Sequence, residues 1–317
     1  MRRMNTFSWI FLLALGTGLL LQMWLAARQA AHIIAHADRV PAAFADRITL
    51  EQHRKAASYS LARLVIERWE LALGALVLLG WTLAGGLDWL DRMIASAALP
   101  GVWEGVLLIL AVMLIGGLIE LPLSVWRTFG VEARFGFNHN TPAGFVKDKL
   151  LGILLTLVLG VPLIAVILWL MAAAGDYWWL WAWLVWMGFS LAVTWAYPIW
   201  IAPLFNKFEP LQDDTLRHRL EMLLQRCGFK SNGMFIMDGS RRSAHGNAYF
   251  TGFGANKRIV FFDTLLDGLE TDEVEAVLAH ELGHFKRRHI VKMLTISAFM
   301  SLCGLALLGW LSQQPWF

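Results

Sequence analysis

Six stretches of mostly apolar residues punctuate the chain: Phe7 to Ala27, Trp69 to Leu90, Val102 to Leu123, Leu150 to Ala173, Trp178 to Ile201 and Ile290 to Leu311. Each approaches the roughly twenty residues that a helix needs to cross the hydrocarbon core of a bilayer. Between the fifth and the sixth the pattern changes. From Asn206 to His289 charged residues become frequent, and Gly, Ser, Asn and Asp cut the apolar positions into short runs. Met234 to Met237, Ala248 to Phe250 and Arg258 to Phe262 predict short strands, with Gly252, Gly254 and Asn256 making the turn between the last two. Val274, Val277, Leu278, Leu282 and Phe285 recur at helical spacing and predict a helix seated on a core. Glu270-Thr271-Asp272-Glu273 supplies its N-cap and first-turn acids, and Lys286, Arg287 and Arg288 put positive charge further along.

The fold class expected is an α-helical polytopic membrane protein of about six spans with a small α+β insertion. Its domains are residues 1–204, a membrane domain with five spans; 205–289, the polar segment; and 290–317, the sixth span. Pro162, Pro198 and Pro203 fall within or at the end of spans, where they are expected to kink the helices.

Composition strengthens the membrane reading. The chain has 317 residues, 57% hydrophobic and only 16% charged, more apolar surface than a soluble domain of this size can bury. Seventeen tryptophans are present, and the run from Trp178 to Trp186 resembles the aromatic belt where a span enters the headgroup region. A net charge of +3 with no accompanying aromatic-basic surface motif argues against nucleic acid as a partner. Cys227 and Cys303 lie in dissimilar settings, so no disulfide framework is expected.

The placement of charge says more than its sum. The first loop carries Arg28, Arg39, Arg47, Arg54, Lys55, Arg63 and Arg68, and the third carries Arg127, Arg134, Lys147 and Lys149. The second has only Arg92, and the fourth has no Lys or Arg. The positive-inside bias makes the first, third and fifth loops cytoplasmic, with the amino terminus outside. Arg2 and Arg3 oppose this weakly, and the length of the first apolar run marks it as an anchor rather than a cleaved signal.

The chemistry concentrates in HELGH, residues 280 to 284. On a helix, residues four apart lie about 40° and one turn from each other, so His280 and His284 can both offer imidazole nitrogens to one zinc ion. Glu281 stands beside them as the carboxylate that takes a proton from activated water and returns it to the departing amine. His289 follows His280 by nine positions; in a continuous helix that is about 180°, so it is expected to face away. From Leu282 to Phe317 there is no Asp or Glu, although a catalytic zinc normally takes three protein ligands. Other polar positions carry two readings each. Arg241 and Arg242 pair with a substrate carboxylate or lipid phosphates, or are solvated loop charges. Glu120 and Arg127 form a structural pair or line a cavity. His245 contacts substrate or occupies a turn with Gly246.

Four stretches resemble, in order, the type I CAAX prenyl endopeptidases, integral-membrane zinc proteases with bacterial relatives. They are LPLSVWRTFGVEARFGFN (Leu121 to Asn138), FVKDKLLG (Phe145 to Gly152), SRRSAHGNAYFTGFGANKRIVFFDTLL (Ser240 to Leu266) and HELGHFKRRHI (His280 to Ile290). The resemblance implies one Zn2+ per chain held by His280 and His284, Glu281 as the catalytic base, and spans that form a barrel around a water-filled chamber. It also implies that Asn247, Ala248 and Tyr249 bind substrate by strand addition, with His245 nearby; the competing reading is that Asn247 caps a turn and Tyr249 packs in the core. The family has seven spans, with its third ligand a glutamate beyond the seventh. The chain is therefore expected to be a carboxyl-terminally shortened form, with an inactive relative as the alternative.

The function these observations imply is hydrolysis of peptide bonds in membrane-associated or CAAX-like substrates, in a bacterial inner membrane, with peptide, protein and membrane lipid as partners. The oligomeric state is unspecified. Two alternatives remain: a quality-control protease of the HtpX group, and a catalytically silent membrane chaperone or scaffold with a vestigial HELGH.

Overall fold

The computed structural model describes residues 5–251 and 257–315. The turn assigned to Gly252, Gly254 and Asn256 lies outside them. The chain divides into two compact units, one up to Asn138 and one from His139 to Ser312.

The first unit holds helices α1 (Thr6–His36), α2 (Leu50–Thr82), α3 (Gly86–Ala95), α4 (Trp103–Val125) and α5 (Ala133–Phe135). Asn5 caps α1 by accepting the Ser8 N–H at 2.8 Å, and Thr49 with Gln52 forms a reciprocal capping box on α2. The sequence predicts one span from Trp69 to Leu90; the structure breaks it, bending α2 against α3 by 53°. Glycine makes the bend possible. Gly85 has φ +82°, and a Cβ on Gly86 would lie 2.7 Å from the Gly80 carbonyl oxygen. Among the described residues five helices are long and apolar enough to cross a membrane, or six if this bent pair counts as one span. Arg127 pairs with Glu70, not with Glu120, because an acid 57 residues earlier in the chain lies alongside on α2.

The second unit begins with α6 (Pro142–Leu155) and α7 (Val161–Ala173), then α8 (Trp178–Ala196) and α9 (Ala202–Phe205). Each pair runs on through a widened, π-helical turn, Thr156–Gly160 in the first and Tyr197–Ile201 in the second. The prolines account for the position of these turns. A proline ring collides with the carbonyl four residues before it. For Pro162 that carbonyl belongs to Val158 and for Pro203 to Ile199, and both lie inside a widened turn. An extra residue in the turn accommodates the collision without ending the span.

The last span is α13 (His289–Leu311), which packs on α8. Trp183 donates its indole N–H to the Ala298 carbonyl at 3.0 Å, and a Cβ on Gly309 would lie 2.5 Å from the Trp179 ring. A small residue at the crossing lets the two helices approach, the packing that apolar surroundings favour.

Between α9 and α13 lie β1 (Phe208–Pro210), α10 (Asp214–Arg226), β2 (Met234–Met237), β3 (Ala248–Thr251), β4 (Arg258–Phe262), α11 (Asp263–Gly268) and α12 (Thr271–Lys286). The four strands order as β1-β2-β4-β3, with β2 and β4 parallel and both outer pairs antiparallel. The three strands predicted from sequence are present, and β1 joins them as an unforeseen edge. Leu216, Leu220 and Leu224 of α10, Ile259 and Phe261 of β4, and Val274, Leu278 and Leu282 of α12 close a single buried core. Cys227 and Cys303 are both free thiols.

Candidate functional site

Helix α12 is fixed at its start and along one side. Glu270 and Glu273 form a capping box, and Asp272 and Glu273 place negative charge where the helix dipole favours it. Arg219 of α10 reaches Asp272 at 2.7 Å and Glu275 at 2.6 Å, and these carboxylates hold its guanidinium above its ordinary pKa. Val274, Leu278 and Leu282 bury the core face, which leaves His280 exposed and His284 partly so.

The two rings lean together, with Nε2 to Nε2 at 3.2 Å and centroids 4.9 Å apart. Two nitrogens bound about 2.0–2.1 Å from one tetrahedral zinc lie about 3.3–3.4 Å from each other. The separation therefore matches the spacing of two ligand nitrogens on one metal ion. Glu281, partly exposed, follows His280 directly on the same turn. Among the described residues no group of three His, Cys, Asp or Glu side chains gathers into a metal-binding cluster.

His289 contradicts its predicted placement. The continuous helix assumed for that prediction stops at Lys286, and the Arg287 and Arg288 N–H groups close the end on the Gly283 and Phe285 carbonyls at 3.0 and 2.9 Å. Arg288 then adopts a left-handed conformation, φ 53° and ψ 38°, and α13 starts in a new direction at His289. His289 thereby turns back toward the site, its Nδ1 3.0 Å from Nδ1 of His284.

Strand β3 is a sheet edge and packs against α12. Ala248 is buried, while Asn247 just before the strand is exposed. The Asn247 side-chain carbonyl accepts the Ala248 N–H at 2.9 Å, and its backbone carbonyl accepts the Phe262 N–H at 2.9 Å. Tyr249 is half-buried, edge-on to Phe262 and 4.0 Å from the Met237 sulfur. Burial, with a smaller contribution from Tyr197, pushes its phenol up to about 12. His245 is exposed; its N–H donates to Ser243 Oγ at 3.2 Å and its carbonyl accepts from Thr264 Oγ1 at 2.9 Å, which makes its backbone part of a closed turn. The structure thus brings His280, His284 and the helix beside β3 together, and gives His245 a turn.

Sequence reasoning missed the anchor behind this segment. Arg242 makes a two-pronged pair with Asp148 of α6 at 2.7 and 2.8 Å and donates to Asn206 Oδ1 at 2.7 Å, which overturns its reading as solvated charge. Asp148 holds the guanidinium above its ordinary pKa. Arg241 donates to the Phe205 carbonyl at 2.6 Å. These residues line a cavity of about 450 Å³ with Lys147 and Lys207. The aspartate stands 94 positions before its arginine, a separation at which a single sequence carries no pairing signal.

Comparison with known proteins places the chain among others. Residues 29–207 match the family described as the CAAX prenyl protease N-terminal, five membrane helices, and residues 210–314 match peptidase family M48. The CAAX prenyl protease 1 homolog of Mus musculus is 32% identical over 339 residues, a match covering 93% of this chain and 70% of that protein. The homolog of Oryza sativa is 44% identical over 181 residues, 57% of this chain. The match spans 43% of the length of that relative and 40% of the one from Arabidopsis thaliana. The crystal structure of S. mikatae Ste24p superposes with a TM-score of 0.84 at 28% identity, covering 94% of this chain and 71% of that one.

Proposed function

The chain belongs to the CAAX prenyl proteases of peptidase family M48, and from that premise we propose that it is an integral-membrane zinc metalloendopeptidase acting on membrane-associated or CAAX-like peptides. The observation that carries the proposal is the 3.2 Å separation of the His280 and His284 Nε2 atoms on one helix turn. His280 and His284 hold one zinc ion. Zinc held there would supply Lewis acidity to the scissile carbonyl and to the attacking water. Glu281 takes the proton from that water and passes it to the leaving amine. The outer edge of β3 aligns the peptide by adding it as a further strand along Asn247, Ala248 and Tyr249, with His245 at its approach. The polar segment lies on the cytoplasmic face of a bacterial inner membrane and the amino terminus outside, as the loop charges favour. The match to five amino-terminal membrane helices favours this reading over an HtpX-type enzyme.

The experiment is zinc analysis and peptide cleavage on purified protein, in this length and in any longer natural form, with prenylated and unprenylated membrane peptides as substrates. Near-stoichiometric zinc is expected, lost in His280→Ala. Glu281→Gln is expected to keep the zinc and lower cleavage by about 10²–10⁴-fold, the range of a general base. Cleavage unchanged in Glu281→Gln, or zinc retained in full by His280→Ala, overturns the proposal.

A further inference from the structure

The helix break at Arg288 raises a question that the zinc ligands alone do not answer. A left-handed backbone at a residue other than glycine is strained, because Cβ crowds the following carbonyl oxygen. Among the described residues only Ala98 shares this feature with Arg288. At Arg288 it brings a third imidazole against the pair, with His284 and His289 rings nearly perpendicular at 87° and their centroids 4.9 Å apart.

Two geometric facts define what His289 can do. The nitrogen of His284 that faces His280 is Nε2, and the nitrogen that faces His289 is Nδ1. These flank one ring carbon and their in-plane bonding directions diverge widely, so a metal shared by the two Nε2 atoms is out of reach of His289 Nδ1. His289 is thus no third ligand. An imidazole that gives Nε2 to a metal carries its proton on Nδ1, and such a ligand ordinarily donates that proton to a fixed acceptor that sets its tautomer and ring orientation. At 3.0 Å, His289 Nδ1 stands at hydrogen-bonding distance for that role.

We infer that His289 is a positioning residue: its Nδ1 accepts the Nδ1 proton of His284, holding that ring in the tautomer and orientation that present Nε2 to the metal. The inference rests on the reading of His280 and His284 as ligands and deepens it. It also gives the strained residue a purpose, because a helix continued past Lys286 would carry His289 to the far side.

The test is metal affinity. Zn2+ and Co2+ dissociation constants are measured by chelator competition on the purified full chain, for wild type, His280→Ala, His289→Ala and His289→Asn, with far-UV circular dichroism as the folding control. His289→Ala is expected to weaken binding about 10–100-fold, the usual cost of losing such a partner. His289→Asn, whose Oδ1 is attached at the same carbon position as the lost Nδ1, is expected to recover most of that loss. Wild-type affinity in His289→Ala overturns the inference, and so does equal weakening in the alanine and asparagine variants. Metal binding identical in wild type and His280→Ala is a different failure: it removes the ligand reading and this inference with it. Should His289→Ala not fold, ¹⁵N-histidine NMR of the metal-loaded wild type decides instead. His284 protonated at Nδ1, with coupling across the hydrogen bond to His289 Nδ1, supports the role; a proton on Nε2 of His284 overturns it.

Discussion

Helices α12 and α13 are separated by two residues and are built on opposite principles. Along α12 every fourth residue or so disappears into a core, with Val274, Leu278 and Leu282 at most 2% exposed. Along α13 the large apolar side chains point outward, Met293 at 70% and Ile296 and Phe299 at 62%. The first helix is apolar because protein covers it, and the second because lipid does. The difference shows where geometry is set. The histidine pair projects from the helix whose roll and height are fixed by packed neighbours, while the span meets α8 through the Trp183 hydrogen bonds to Ala298 and Ser301 and one close glycine crossing.

This contrast can be broken experimentally. The largest effect should come from Leu278→Ala, which empties the centre of the α+β core and is expected to cost about 2–5 kcal/mol. Phe299→Ala on the span removes more carbon than Leu278→Ala, but from a lipid-facing site, and is expected to cost far less. Denaturant unfolding followed by hydrogen exchange over residues 211–282 separates the two. Equal losses would mean that the span is packed as tightly as the core.

A middle-sized effect is expected from Arg242→Ala. It leaves the Asp148 carboxylate without its two-pronged partner and frees the loop before β3 from α6. A single hydrogen bond to a charged group contributes about 1.5–3 kcal/mol, and because water reaches this partly exposed pair a net loss of about 2 kcal/mol is expected in thermal unfolding. A rise in KM with kcat retained would show that the anchor serves the substrate edge and not the metal.

The smallest effect is confined to alkaline solution. Tyr249 titrates at about 12 when folded against a reference of 10.0. Its contribution to stability is therefore fully present below pH 10 and is lost as pH rises toward 12, because the unfolded chain ionises first. Tyr249→Phe should flatten the stability profile between those limits and leave it unchanged at neutral pH. An unaltered slope above pH 10 would show that the ring is wetter than its packing against Phe262 implies.

Much of this was legible in the residues. Length and apolarity locate spans because lipid imposes both, and the i, i+4 spacing of His280 and His284 is sufficient to bring their rings together on any intact helix. What escaped was set by backbone events or by distant partners. Ala84-Gly85-Gly86 was the visible sign that Trp69 to Leu90 would break, yet apolarity alone runs straight through it. Strand β1 has three residues ending in proline and gains its identity only by pairing with β2. Arg127 found Glu70 and Arg242 found Asp148 across long stretches of chain. His289 was misplaced because Lys286-Arg287-Arg288 contains no glycine or proline to announce that the helix ends there.

The widened turns at Thr156–Gly160 and Tyr197–Ile201 carry a lesson for anyone aligning these helices. One surplus residue rotates everything downstream by about 100° relative to an uninterrupted spiral. A lipid-facing stripe traced from Pro142 therefore points the wrong way by Ala173, and the wheel must be redrawn on either side of each proline-induced step.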